Sequence, residues 1–302
     1  MSTGKPVRVG IIGAGRTGSV LGRSLHAAGY PVAAIASRSR SSAESLAASI
    51  LGAHSESCSQ EVADQTDVVL LSVPDDAIAE VCNAIRWRND QAAIHCSGAG
   101  SLDLLSHAAQ CGAGIGTFHP LQTFAKVEQG IANLPGSTFA IEASSDGLRN
   151  TLVEMARCLG GHPLVLNPGD KTLYHASAVM ISNYFVSLAD AASSLWSQLG
   201  VDPAQSLPAL LPLARGTLAN LESAGLPAAL TGPIARGDIG TIRDHLAALA
   251  SLPGVLNLYC SLGLRTVSIA LKQGGIDQRT AEQIRNVLSC PAESRGHVEE
   301  SP

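Results

Sequence analysis

Three glycines at the spacing G-x-G-x-x-G (Gly13, Gly15 and Gly18) follow directly on Val7–Ile12, a run in which every residue but Arg8 suits a buried strand, and open a helical pattern. In that pattern, from Thr17 to about Ala28, Val20, Leu21, Ser24, Leu25 and Ala28 share one face. A strand that turns through glycines into a helix N-terminus is a pyrophosphate site, because the orphan N–H groups of the first helical turn and the helix dipole both favour an anion. Gly13 allows the tight turn, Gly15 lets phosphates approach the backbone, and Gly18 lets the helix lie close to the sheet. Ala14, Arg16 and Thr17 complete the loop. The strand-before, helix-after context separates this triplet from a chance match.

The next strand, Pro31–Ala36, ends in Ser37-Arg38-Ser39-Arg40. A site for NAD usually places Asp or Glu about 20 residues past the glycines, on the ribose 2′-hydroxyl. Here no acid occurs before Glu44. Hydroxyls and guanidinium groups suit a 2′-phosphate, which Arg can grip through two hydrogen bonds. The expected cofactor is therefore NADP (NADPH), with NAD less favoured and FAD less favoured still. Otherwise Arg38 and Arg40 are solvated loop charges.

Strand and helix signals alternate through the first half. Asp67–Val73 is expected as a buried strand stopped by Pro74, with Asp75 or Asp76 placed to cap a helix to Ile85, and Val73 and Pro74 are expected to face the dinucleotide. A helix is expected over Ser41–Leu51, and a short strand near Ala53. Further strands are expected at Gln91–Cys96, Ile115–His119, Ser137–Glu142 and His162–Leu166, with helices at Leu102–Cys111 and Gly147–Leu159. This is an α/β pattern, a Rossmann-type doubly wound and mostly parallel sheet. After Asn167-Pro168-Gly169 the pattern turns all-helical: one long helix over Lys171–Leu199, then helices near 203–224, 239–251, 254–273 and 278–289. The expected domains are 1–167 for the dinucleotide, 168–290 for substrate and dimerisation, and a flexible tail at 291–302.

The 302 residues, 45% hydrophobic and 15% charged, allow two ordinary domains with a substantial core. A net charge of −5 with no Lys/Arg block argues against nucleic acid or an anionic membrane surface as partner. The chain passes from its first residues straight into the first strand and has no run of 18 apolar residues, so neither a signal peptide nor a membrane span is expected. Seven scattered cysteines without a C-x-x-C read as reduced thiols of a cytoplasmic protein, and no metal site is expected.

Ligands of open α/β sheets lie beyond the carboxyl ends of the strands. Lys171 opens the long helix there. A partly desolvated ammonium can have its pKa lowered towards neutrality and serve as a proton donor; the alternative is an ordinary surface lysine. His175, one turn on and on the same face, could orient the lysine, contact substrate or donate the proton itself, or simply be a hydrogen-bonded histidine between helices. Asn183, about 12 Å from His175 along the axis, suits the far end of a cleft. Ser97-Gly98 forms a turn whose hydroxyl and N–H could bind a carboxylate, or a plain strand-to-helix turn. His119 is held extended by Pro120, as a site residue or a structural pin. Arg236 could grip an acidic substrate or pair with Asp238.

The segments GIIGAGRTGSVLG, LLSVPDDAI, HCSGA, FHPLQTF, KTLYHASAVMISNY and LTGPIARGD together resemble a bacterial predicted-oxidoreductase family with a Rossmann-like N-terminal domain and a helical C-terminal domain of unknown function. FHPLQTF and TGPIARGD are the family-specific motifs, and the resemblance runs from about Val7 to about Leu288. Its relatives include ketopantoate reductase (an alternative form among them), pyrroline-5-carboxylate reductase and the β-hydroxyacid dehydrogenases, with a 6-phosphogluconate-dehydrogenase-like arrangement. The resemblance implies an NADPH-dependent reductase of a small 2-keto or related acid, ketopantoate being the leading specific candidate. An imine reductase of the pyrroline type and a non-catalytic NADP-binding regulator are the alternatives. It further implies Lys171 as proton donor, Ser97-Gly98 as a substrate turn, and a homodimer through the helical domain. His175 departs from the asparagine that β-hydroxyacid dehydrogenases usually place there.

Overall fold

The computed structural model describes residues 7–289, so the expected tail 291–302 and Cys290 lie outside the described residues. The chain divides into two compact units that part between Tyr184 and Phe185.

In the first unit the elements run β1 (Val9–Ile12), α1 (Arg16–Ala27), β2 (Val32–Ala36), α2 (Arg40–Ala48), β3 (His54–Ser55), α3 (Ser59–Gln65), β4 (Val68–Leu71), α4 (Ile78–Asn83), β5 (Ala92–His95), α5 (Ser106–Gln110), β6 (Gly114–Pro120), α6 (Val127–Asn133), β7 (Thr138–Ala143), α7 (Asp146–Cys158), β8 (His162–Val165) and α8 (Lys171–Ile181). One eight-stranded sheet has the order β3-β2-β1-β4-β5-β6-β7-β8. Every neighbouring pair is parallel except β6 and β7. This is the Rossmann-type, mostly parallel α/β sheet expected from the sequence.

The apolar runs explain the layering. All residues of β1, β4 and β5 are buried, as parallel strands covered on both faces must be. Their side chains alternate between two cores. Ile11, Leu70 and Ile94 pack with Leu21 and Leu25 of α1 and Leu152 of α7. Ile12, Leu71 and Ala93 pack on the opposite face with Val62 of α3, Ile78 of α4 and Ala108 of α5. Strand order reverses at β1 and β4, which opens a crevice at their carboxyl ends.

The glycine loop sits at that crevice. Gly13 has φ +103°, and a Cβ there would lie 2.6 Å from the Ser72 carbonyl oxygen. A Cβ on Gly18 would collide with the Gly13 carbonyl and the Ser72 hydroxyl, which itself donates to Gly13 O at 2.5 Å. At Gly15 nothing lies within 4 Å of the Cβ position, so this face of the loop is open to a ligand.

Four local expectations are corrected. The long helix over Lys171–Leu199 is interrupted at Ser182, with φ −106° and ψ −73°, so that α8 ends at Ile181 and α9 runs Asn183–Ser197. Ser and Asn are poor helix-interior residues because their side chains compete for backbone hydrogen bonds. Neither Asp75 nor Asp76 caps a helix: a 3₁₀ turn begins after Pro74 without a side-chain cap, because the Asp75 carboxylate accepts from Ser97 Oγ instead. Leu102–Leu105 is likewise a 3₁₀ turn ahead of α5. The helix expected to Leu51 stops at Ala48, three residues before it.

The second unit is helical: α10 (Pro203–Ala224), α11 (Ile239–Ala248), α12 (Pro253–Gln273) and α13 (Gln278–Ser289) follow the body of α9. Its core joins Ile242, Leu256, Val267, Ala281, Ile284 and Leu288. A Cβ on Gly263 would meet Leu288 Cδ1 at 2.9 Å, so this glycine sets the close approach of α12 and α13. Among the described helices α12 alone is long and apolar enough to cross a membrane. Its buried residues Leu256, Cys260, Gly263, Val267 and Ala270 recur at helical spacing towards that core.

Gly18→Ala is expected to lower unfolding free energy by about 1–3 kcal/mol, the cost of overpacking a rigid contact. Gly15→Ala should change it by less than about 1 kcal/mol, because its site is open. Urea denaturation of the two variants checks the contrast.

Candidate active site

Several polar groups meet where β4, β5 and β6 end and α8 begins. Register aligns Leu71, His95, Thr117 and Glu142 as one row across β4, β5, β6 and β7. In that row His95, Thr117 and Glu142 are buried polar residues at the edge of an otherwise apolar sheet, and the buried Lys171 joins them from the first turn of α8.

Lys171 is only 3% exposed, and its Nζ has no hydrogen-bond partner among the described residues. Glu142 Oε2 is likewise buried and unpartnered. Loss of hydration pulls the Lys171 ammonium down to about 8, against the opposing pull of Glu142, Cys96 and Asp75. Burial pushes the Glu142 carboxyl up, with Lys171 pulling the other way.

The neighbours are held neutral. Burial first, and the Lys171 charge second, bring His95 and His119 down to about 4. Burial pushes the Cys96 thiol up to about 12 and the Tyr174 phenol up to about 12. His95 accepts from Ser97 N on Nδ1 (3.2 Å), which leaves Nε2–H to donate to Ser101 O (3.1 Å).

Ser97 is committed to its own turn. Its hydroxyl donates to Asp75 Oδ2 at 2.7 Å and accepts from Ala99 N and Gly100 N. Gly98 has a stronger steric requirement: a Cβ there would lie 2.5 Å from His175 Cδ2 and 2.8 Å from His119 Nε2. His119 and His175 stand edge to face, 6.3 Å between centroids. With Leu121, Gln122, Ser182 and Asn183 they line a cavity of about 270 Å³, which Lys171 does not line. His175, Val179, Ser182 and Asn183 reach it together because they recur along α8 and the start of α9.

The FHPLQTF segment thus has separate duties. His119 and Leu121 face the cavity. Gln122 pins the loop by donating to Asn133 O (3.1 Å) and Ser137 Oγ (3.3 Å). Phe124 packs where a Cβ on Gly130 would touch both it and Val20.

In the dinucleotide region, Gly15 and Arg16 are exposed, Thr17 is half-buried, and Ala14 and Gly18 are buried. Val73 packs against the Gly13 turn and Pro74 is exposed beside it. Ser39 is the N-cap of α2, accepting from Ser42 N, and Arg40 pairs with Glu44 at 2.8 Å. Ser37 is half-buried at the end of β2, and Arg38 is exposed with no ion pair among the described residues. Arg236 lies in the second unit, exposed and without an ion pair within 4 Å among the described residues; Asp238 instead caps α11 through Thr241.

Sequence reasoning passed over Glu142 and Tyr174, and named His95 only as part of the HCSGA segment at a strand end. An acid ending the apolar run of β7 was the available signal for Glu142; nothing in the sequence singled out Tyr174.

Residues 3–120 match the Rossmann-like domain family, and residues 137–266 match a domain of unknown function, DUF2520. The chain carries a Rossmann-like domain followed by a DUF2520 domain. The DUF2520 match spans β7, α7, β8 and α8 as well as most of the helical unit. No curated protein matches the sequence. Among solved structures, a candidate NADP oxidoreductase from Bacteroides fragilis is similar at 24% identity, covering 87% of this chain and 98% of its own, with TM-score 0.69. A reductive aminase from Aspergillus terreus, in complex with NADPH and ethyl levulinate, has 15% identity, coverage of 96% and 95%, and TM-score 0.59. The pyrroline carboxylate reductase of Plasmodium falciparum, with NADP bound, has 14% identity, coverage of 94% and 98%, and TM-score 0.57. At these identities the likeness is one of fold.

The Lys171 shift carries a sign for stability. Between about 8 and the ordinary 10.5 the unfolded chain holds a proton that the folded chain has released, so stability rises with pH across that window. The unfolding free energy of the wild type minus that of Lys171→Met should therefore increase from pH 7.5 to pH 10.5, by roughly 1–3 kcal/mol. Denaturation at a series of pH values measures it; a flat difference would place the ammonium in water.

Proposed function

We propose that this chain is an NADPH-dependent oxidoreductase that reduces a small 2-keto or related acid, with ketopantoate as the specific candidate. The observation that carries the reading is the buried, unpartnered Lys171 ammonium, brought down to about 8 beside the strand ends. A group with that pKa can release a proton at neutral pH, as a general acid must.

The residues at the crevice fit a dinucleotide phosphate. Gly15 leaves room over an uncapped helix N-terminus. Arg38 is free to meet a 2′-phosphate, while the nearest acid, Glu44, is taken up by Arg40. When bound, NADPH supplies the hydride that adds to the substrate carbonyl carbon. Lys171 delivers the proton to the developing alkoxide, and His175, His119 and Asn183 hold the substrate in the cavity they line. The ammonium does not line that cavity in the free protein, and catalytic contacts of this kind tighten once substrate is bound. The Ser97-Gly98 turn serves through the missing side chain of Gly98 and its backbone, since the Ser97 hydroxyl is engaged. Arg236, exposed in the second unit, keeps its expected role as a grip for an acidic group.

The fold-level likeness to a reductive aminase and a pyrroline carboxylate reductase favours a second reading, reduction of an imine. An iminium arrives already protonated and needs no acid, so the effect of removing Lys171 separates the two.

The partner assigned to the helical unit is a second copy of the chain. No residue of α9 is buried, and Phe185, Val186, Leu211, Leu213 and Leu218 on α9 and α10 are exposed. Exposed apolar side chains that form a patch suit an interaction surface. We assign the chain to the cytoplasm, because its cysteines are scattered in sequence and form no C-x-x-C.

On a panel of 2-keto acids and cyclic imines followed by NADPH absorbance, Lys171→Ala should lower kcat for keto-acid reduction about 10²–10⁴-fold. The wild-type rate should fall as pH rises past about 8. Unchanged keto-acid turnover in the variant contradicts the role of Lys171. Arg38→Ala should raise KM for NADPH about tenfold and leave that for NADH nearly unchanged; equal effects contradict the 2′-phosphate contact. Sedimentation equilibrium should return twice the 31.0 kDa chain mass.

A further inference from the structure

His119 is held from two sides. Pro120 follows it and keeps its backbone extended at the end of β6. Its Nδ1 lies 2.9 Å from the Tyr174 hydroxyl, with the two rings edge to face at 88° and 5.7 Å between centroids. The other ring nitrogen, Nε2, lies over Gly98, where a Cβ would approach to 2.8 Å. Among the described residues Nε2 has no hydrogen-bond partner, and His119 lines the 270 Å³ cavity.

Both partners of the Nδ1 contact are neutral near pH 7: burial keeps the phenol protonated, and burial with the Lys171 charge keeps the imidazole uncharged. A neutral imidazole carries one proton, and the hydrogen bond made by one nitrogen decides the other. A phenol is a better donor than acceptor, and an imidazole nitrogen is a better acceptor than a phenol oxygen. The stronger arrangement is O–H donating to Nδ1, which leaves the proton on Nε2.

We propose that Tyr174 locks His119 as its Nε2–H tautomer, making His119 a fixed hydrogen-bond donor to a carbonyl or carboxylate oxygen of the ligand in the His119–His175–Asn183 cavity. The ligand class rests on the reading of the chain as a keto-acid reductase; the tautomer does not. Tyr174 is in this sense a positioning residue, acting through His119. A locked donor selects oxygen acceptors and offers nothing to an N–H group, which disfavours a protonated imine at this position. The nearby Lys171 adds to that selection because an ammonium repels an iminium.

Two-bond ¹H–¹⁵N correlation spectra of the full chain, recorded without cofactor or substrate at pH 7.5, read the tautomer directly. The wild type should show His119 protonated on Nε2. Tyr174→Phe keeps the ring contact and removes the donor, so its His119 nitrogens should move towards the averaged shifts of exchanging tautomers. In turnover, Tyr174→Phe should raise KM for the 2-keto acid about tenfold, the equivalent of one weakened hydrogen bond, with KM for NADPH changed less than about twofold. A wild-type spectrum with the proton on Nδ1 or with an imidazolium overturns the lock, as does a variant spectrum identical to the wild type. The correct tautomers with no keto acid turned over would remove the substrate reading and leave the lock standing.

Discussion

Water would solvate the Lys171 ammonium far better than the place the fold gives it. It sits almost fully buried at the carboxyl end of the sheet, with no hydrogen bond to its Nζ among the described residues. Hydration lost in this way is costly unless the charge is offset, and here the offset comes from the field of Glu142 and Asp75 rather than from a direct pair. The surrounding groups make sense under that constraint. His95 and His119 stay unprotonated beside the ammonium, and Cys96 and Tyr174 keep their protons in the same dry environment. The result is one titrating cation beside two carboxyl groups, with neutral histidines, a thiol and a phenol around it. Clusters of perturbed groups of this kind concentrate at functional sites, although structural networks also produce them.

The sheet makes the arrangement possible by register. His95, Thr117 and Glu142 occupy equivalent positions on neighbouring strands, so three segments well separated in sequence present polar groups in one row. The reversal of direction between β6 and β7 matters here, since it brings the end of β7 beside the middle of β6. At the opposite side of the strand-order reversal, Gly13 and Gly18 allow α1 to close on the Ser72 turn while Gly15 stays open. The two halves of the crevice are therefore built by different means: missing side chains on the dinucleotide side, buried polar ones on the other.

Much of this was legible in the chain. The glycine spacing, the continuous apolar runs of β1, β4 and β5, and the switch to helices after Gly169 gave the fold class, because each reflects a local rule. Lys171 and His119 could be picked out at a helix start and a strand end, and His175 and Asn183 by their spacing along the helix that Lys171 opens; His119, His175 and Asn183 do line one cavity. What the sequence did not show depends on tertiary pairing. Tyr174 acquires its role only because α8 sets it against His119. Asp75 looked like a helix cap and serves Ser97 instead, a choice made by a strand twenty residues away. Of the two arginines after β2, only the structure shows that Arg40 is engaged by Glu44 and Arg38 is not. The interruption at Ser182 was hidden by the apolar composition on both sides of it.

Redox chemistry in this site requires a reduced pyridine nucleotide on the glycine loop, held by its extra phosphate. Isothermal titration of the purified full-length chain with NADPH and with NADH tests that requirement most directly. One NADPH per chain, bound at least about tenfold more tightly than NADH as a phosphate–arginine contact should give, is the result expected. Uptake of neither nucleotide would contradict it.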